Sequence, residues 1–190
     1  MEVSKLGGRK VVAHASGVEA MRMAALAGVS TIEHGDEGTE EVFRLMKEKG
    51  VALCPTLAAG DAILQYNGWK KGNSTEPQRI TDKKKSFATA LQVGVTITFG
   101  GDVGVYTHGD NAREMELMAE YGMKPIDVLR SATSVNADVF GYAQQVGRIK
   151  KGLLADIIAV VGDPSTDIRN IRNIILVMKN GMLFTSPTAQ

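Results

Sequence analysis

Between Arg9 and Tyr142, short apolar runs rich in β-branched residues alternate with stretches whose apolar residues recur at helical spacing. This alternation narrows the choice of fold most, because strand, crossover helix and strand together make the unit of a parallel sheet. Four strands stand out: Lys10 to Ala15 (KVVAHA), Val29 to His34 (VSTIEH), Val51 to Thr56 (VALCPT) and Val95 to Gly100 (VTITFG). Each is bounded by Gly or Pro and reads as a buried parallel strand. After the first, Val18, Met21, Ala25 and Leu26 share a helical face and Gly28 stops the helix. After the second, Val42, Leu45, Met46 and Lys49 carry a helix that Gly50 ends. The third connection is longer, with a polar loop, NGWKKGNSTEPQRI, before a helix from about Thr81 to Gln92. Long loops after strands of an α/β fold are where function collects.

Past the fourth strand, Asn111 and Glu114 have capping-box spacing at the head of a helix running to Tyr121. Pro125 opens another, to Phe140, with Gly141 as its stop. From Val146 onward the pattern turns to two-residue alternation: Asp156 to Val161 is one strand, and Ile174 to Met178 with Met182 to Phe184 form a hairpin around Asn180-Gly181. The expected organisation is an α/β unit over residues 1–145 and a small β element over 146–190.

Charge excludes some partners. Twenty-two basic residues against twenty-one acidic leave a net +1, and no block of like charge reaches five residues, so neither nucleic acid nor a membrane surface is expected. The run Lys83-Lys84-Lys85 reads as a solvated helix face. No apolar stretch is long enough to span a bilayer and no signal region opens the chain, so a cytoplasmic protein is expected. Cys54 is the single cysteine, so no intramolecular disulfide forms; mid-strand before Pro55, it reads as a buried apolar residue.

The chain has three histidines, and two, His14 and His34, fall at the carboxyl ends of consecutive strands. The fourth strand ends in Gly100-Gly101-Asp102, which brings a carboxylate to the same rim. In parallel barrels and open α/β sheets that rim is the active-site face. A single histidine there is most often a hydrogen-bonded structural residue, and an aspartate after two glycines is as readily a turn residue. Together, two imidazoles and one carboxylate from three strand ends match the ligand set of an open catalytic zinc site. His108, in the loop VYTHGDN, lies outside the strand register and reads as a group that either touches substrate or supports a ligand, not as a ligand itself. Glu33, by alternation from His34, is expected to point away from the barrel interior. The segment from Gly100 to Gly104 lacks the Lys-Ser/Thr pair of a phosphate loop and the spacing of a dinucleotide fingerprint.

These residues resemble the amidohydrolase superfamily, in the branch of imidazolonepropionase-like enzymes and Xaa-Pro or Xaa-Arg/Lys dipeptidases. VVAHASGVEAMRMAALAGVSTIEHG is similar to that branch's fifth and sixth barrel strands, and GVTITFGGDVGVYTHGDNAREMELMAEYGMKPIDVLRSAT to its eighth strand and the helices after it. GRIKKGLLADIIAVVGDP and IILVMKNGMLF resemble the return into its small β-sandwich. The resemblance implies a partial TIM-like (β/α) barrel, strands five to eight, with a C-terminal portion of the sandwich. It implies His14, His34 and Asp102 as ligands of a divalent metal, most naturally zinc, with Asp102 also shuttling a proton, and His108 as a substrate contact. The activity implied is hydrolysis of C–N bonds in dipeptide-like or cyclic amide substrates by metal-activated water. The family's His-x-His pair does not occur in this sequence. The chain is therefore expected to be a fragment that self-associates or pairs with a missing N-terminal half; the alternative is a scaffold or interaction protein with a vestigial site.

Overall fold

The structure, a computed structural model, describes residues 7–184. Three parallel strands in the order β1-β2-β3 form the main sheet: β1 (Val12–Ala15), β2 (Thr31–His34) and β3 (Ala52–Cys54). The expected fourth strand is reduced to one parallel bridge between Leu53 and Ile97. There the Leu53 N–H donates to the Thr96 carbonyl at 2.9 Å and the Thr98 N–H to the Leu53 carbonyl at 2.8 Å. Pairing stops at Phe99 because a side chain takes over: the Asn136 amide accepts from the Phe99 N–H at 3.0 Å and donates to its carbonyl at 2.9 Å. One asparagine thus satisfies the backbone groups a neighbouring strand would use.

Helices α1 (Val18–Ala27) and α2 (Glu40–Lys49) form as the sequence leads one to expect, ending at left-handed Gly28 and Gly50. The third connection holds a further helix, α3 (Leu57–Tyr66), before the polar loop, and then α4 (Gln78–Val93). Leu57, Ala58, Ala59 and Ala62 give α3 a buried face. Its start lacks a side-chain cap of its own, which hides it from a local reading. Helices α5 (Ala112–Glu120), α6 (Pro125–Arg130) and α7 (Asn136–Phe140) follow. The last two are joined by one widened turn, Ser131–Val135, immediately ahead of Asn136. The expected capping box at Asn111 does not form: Asn111 has helical backbone and its side chain caps nothing, while Glu114 is fully buried and bonds elsewhere.

A second sheet is antiparallel, β4 (Ile157–Val160), β5 (Ile174–Lys179) and β6 (Met182–Phe184), with the β5–β6 hairpin turning at Asn180 (φ 50°) and Gly181 (φ 77°). Two consecutive positive φ values are what a two-residue hairpin favours, hence Asn-Gly.

The helix-facing side of the parallel sheet carries the core, where Ile32 and Leu53 pack with Met21, Phe43, Met46, Leu57 and Phe87. The opposite side is set by register: Val12 aligns with Thr31 and Ala52, and His14 with Glu33 and Cys54. Glu33 therefore shares the face of His14 instead of turning toward the helices. Among the described residues, no helix is long and apolar enough to cross a membrane.

Candidate functional site

His14, His34, Thr56 and Asp102 all stand at or just past the carboxyl ends of parallel segments and line one cavity of about 320 Å³, together with Ser16, Asp36, Arg79 and Lys83. Strict alternation would not bring the two imidazoles together. His14 aligns with Glu33 and His34 with Ala15, so a regular strand would send them to opposite faces. At His34 the backbone turns left-handed, φ 77°, and the ring swings back over the rim. The rings meet edge to face, 4.3 Å between centroids at 67°. This turn also explains Glu33: counting faces outward from His34 inverts the assignment of its neighbour. The Glu33 carboxylate accepts from the Thr31 hydroxyl at 2.5 Å, on the interior side of the sheet.

Thr56 (φ 47°) and Asp102 (φ 58°) are left-handed as well. For a residue with a side chain this backbone costs roughly 1–2 kcal/mol. Of the four such non-glycine residues among those described, three line this cavity and the fourth, Asn180, turns the hairpin. Strain of this kind gathers at functional sites when surrounding structure enforces it.

The enforcement is visible. The Lys83 ammonium, buried on α4, donates to the His34 carbonyl and to Asp36 Oδ1, both at 2.5 Å. The Ser86 hydroxyl, one turn on, donates to the Gly35 carbonyl at 2.6 Å and accepts from the Gly38 N–H at 3.0 Å. Lys83 is thus not part of a solvated lysine face: it falls in helical register with Ile80, Phe87 and Ala90, all buried, which was the signal in the sequence. Burial lowers the Lys83 pKa, opposed by Asp36. For Asp36 burial acts upward, but Lys83 and then Arg79, at 3.4 Å, outweigh it and hold the carboxyl below its ordinary value.

His34 is held below the ordinary imidazole value, first by burial, then by His14 and Lys83. Its Nδ1 lies 2.6 Å from the Thr56 hydroxyl. Behind Thr56, the fully buried Glu114 accepts from the N–H groups of Leu57 at 2.9 Å and Ala58 at 2.7 Å, supplying from α5 the cap that α3 lacks. Burial raises the Glu114 pKa to about 7, against the pull of those two bonds. Thr56 and Glu114 escape a sequence reading because their partners lie far along the chain.

His108 is exposed on its loop and does not line this cavity. Cys54 is buried beside Gly100, and burial followed by the Glu33 carboxylate pushes its thiol far above the ordinary range, which leaves it inert as a nucleophile.

Two imidazoles and one carboxylate are the donor types of a divalent-ion site. Among the described residues, however, no three His, Cys, Asp or Glu side chains close on one point as a metal ion needs.

The chain is similar to known proteins over nearly its whole length. The amidohydrolase family model matches residues 1–183. Ochratoxinase of Aspergillus niger is 33% identical over 188 residues, which cover 94% of this chain and 38% of that protein. Its crystal structure superimposes on the whole of this chain, and on 44% of that one, at 30% identity and a TM-score of 0.83. A Xaa-Pro dipeptidase crystallised with methionine in its active site superimposes at 35% identity and a TM-score of 0.87, over 97% of this chain and 47% of that one. The chain thus spans less than half the length of these relatives, and it belongs to the amidohydrolase family.

Proposed function

We propose that this chain carries the His14, His34 and Asp102 part of a metal-dependent hydrolase of C–N bonds acting on small amide or dipeptide-like substrates. The observation that carries the reading is the edge contact of His14 and His34 at 4.3 Å, reached only by a left-handed turn at His34, on a cavity that Asp102 also lines. The resemblance to a Xaa-Pro dipeptidase supports the substrate class. In this reading residues 1–145 are the hydrolytic half and 146–190 the sandwich portion, with His108 approaching substrate from its loop. His14, His34 and Asp102 would hold a divalent ion, zinc by donor chemistry, which supplies a Lewis acid that makes water nucleophilic near neutral pH. Asp102 takes the proton of the attacking water and returns it to the departing amine nitrogen. The Arg79 guanidinium at the mouth, only loosely paired with Asp36, offers a positive contact for an acidic group of the substrate.

A second reading, a scaffold with a vestigial site, is favoured by one observation: no three donors converge among the described residues. Zinc titration of the 190-residue chain against a chromophoric chelator separates the two. The proposed site gives one equivalent of zinc bound, weaker by roughly tenfold or more in His14→Ala and in Asp102→Asn. Binding that both substitutions leave unchanged would assign the chain to the scaffold class. In an active two-part assembly, Asp102→Asn lowers turnover about a hundredfold or more with folding intact.

A further inference from the structure

A hydroxyl has one proton, and at Thr56 two neighbouring atoms stand within its reach. Thr56 Oγ1 stands 2.8 Å from the Pro55 carbonyl and 2.6 Å from His34 Nδ1. A carbonyl only accepts, so the bond to Pro55 uses the threonine proton. Toward His34 the same oxygen must then accept, and Nδ1 must carry the hydrogen. The opposite tautomer would make one of these two bonds and not both, at a residue that is 4% exposed. A single buried hydrogen bond biases the equilibrium roughly fivefold to tenfold.

The hydroxyl is itself fixed from behind. Thr56 is left-handed and the next two N–H groups, of Leu57 and Ala58, are gripped by the two carboxylate oxygens of Glu114. On the other side Lys83 holds the His34 carbonyl. Among the described residues Thr56 is the hydrogen-bond partner of the His34 ring, and no other side chain bonds to it.

We propose that Thr56 is a positioning residue: its hydroxyl holds His34 as the Nδ1–H tautomer and leaves Nε2 with the lone pair that a metal ion or a proton takes. The use of that lone pair rests on the function proposed above; the tautomer does not. Ligating imidazoles in general depend on such a partner at the second nitrogen, which sets both ring orientation and ligand basicity.

The test is a two-bond proton–nitrogen correlation spectrum of the metal-free chain labelled with ¹⁵N-histidine, recorded where the imidazoles are neutral. Only three histidines contribute, and His14→Asn and His108→Asn assign them. The expected result is His34 with the Nδ1–H form in the majority, against the intrinsic preference of an imidazole. Thr56→Val should shift it toward the Nε2–H form that a free imidazole prefers, while Thr56→Ser, which keeps the hydroxyl, retains the wild-type pattern. Should Thr56→Val fail to fold, the wild-type spectrum and Thr56→Ala answer the same question. A wild-type His34 mainly protonated at Nε2, or a tautomer indifferent to loss of the hydroxyl, overturns the proposal. Added zinc then reads the site separately: movement of the His34 Nε2 resonance with Nδ1–H retained supports ligation, whereas no movement counts against the proposed metal site and leaves the tautomer standing.

Discussion

Glu114 shows how one side chain serves an element other than its own. Fully buried on α5, it caps α3 through two charge-assisted bonds, yet burial lifts its pKa to about 7, above the ordinary carboxylate range near 4.5. The sign follows from that direction. A carboxyl with a raised folded-state pKa contributes stability that is fully present below the ordinary range and is lost as pH rises through about 7. The chain should therefore melt at a lower temperature at pH 8 than at pH 5, with on the order of 1–3 kcal/mol from this residue. Glu114→Gln, which cannot ionise, should be less stable at pH 5 but flatter across the same interval. Thermal melts of both proteins at the two pH values decide it, and equal slopes would mean that Glu114 stays ionised throughout.

The segment after Ile97 is constrained as an element by close approach. A Cβ added at Gly101 would come within 2.1 Å of the Tyr106 hydroxyl and 3.4 Å of Glu114 Cβ, so Gly101 leaves the space that lets the Asp102 loop fold back onto α5. The Tyr106 hydroxyl is buried and has no hydrogen-bond partner among the described residues. Gly101→Ala should then cost about 1–3 kcal/mol by overpacking. Tyr106→Phe alone should be within about 0.5 kcal/mol of wild type, since it removes an unpaired polar atom. The double variant should recover part of the loss, because the clash is chiefly with the hydroxyl oxygen. Denaturant melts of the four proteins test this, and strict additivity would place the damage somewhere other than this contact.

At the scale of the whole molecule, two surfaces lack a covering layer among the described residues. Strand β1 has no neighbour on its outer side, and its Val12 is half exposed. On the antiparallel sheet, register aligns Ile158 with Val177 and Phe184, and Ile175 lies on the same face two residues away; Ile158, Ile175 and Phe184 are all exposed. Open strand edges beside apolar faces promote association. We expect the 190-residue chain alone to sediment as a dimer or larger at micromolar concentration, and Ile175→Lys to shift it toward monomer. Monomeric wild-type chain at that concentration would show that these faces are tolerated as they stand.

The alternation of strands and helices, the glycine stops of α1 and α2, the Asn-Gly hairpin and the placement of His14, His34 and Asp102 at one rim were legible in the sequence. All of them follow from local rules: apolar period, backbone freedom at glycine, and the direction of a parallel strand. What tertiary structure decided was the facing of the side chains at that rim. His34 reaches His14 because a strained turn is held by Thr56, 22 positions away, and by Lys83, 49 away. Glu114 caps a helix that begins 57 positions before it, and Asn136 replaces a strand neighbour 37 positions away. Periodicity carries no information about such partners, since each depends on where a distant segment packs, and a single left-handed residue suffices to reverse the alternation from which the face of Glu33 is inferred.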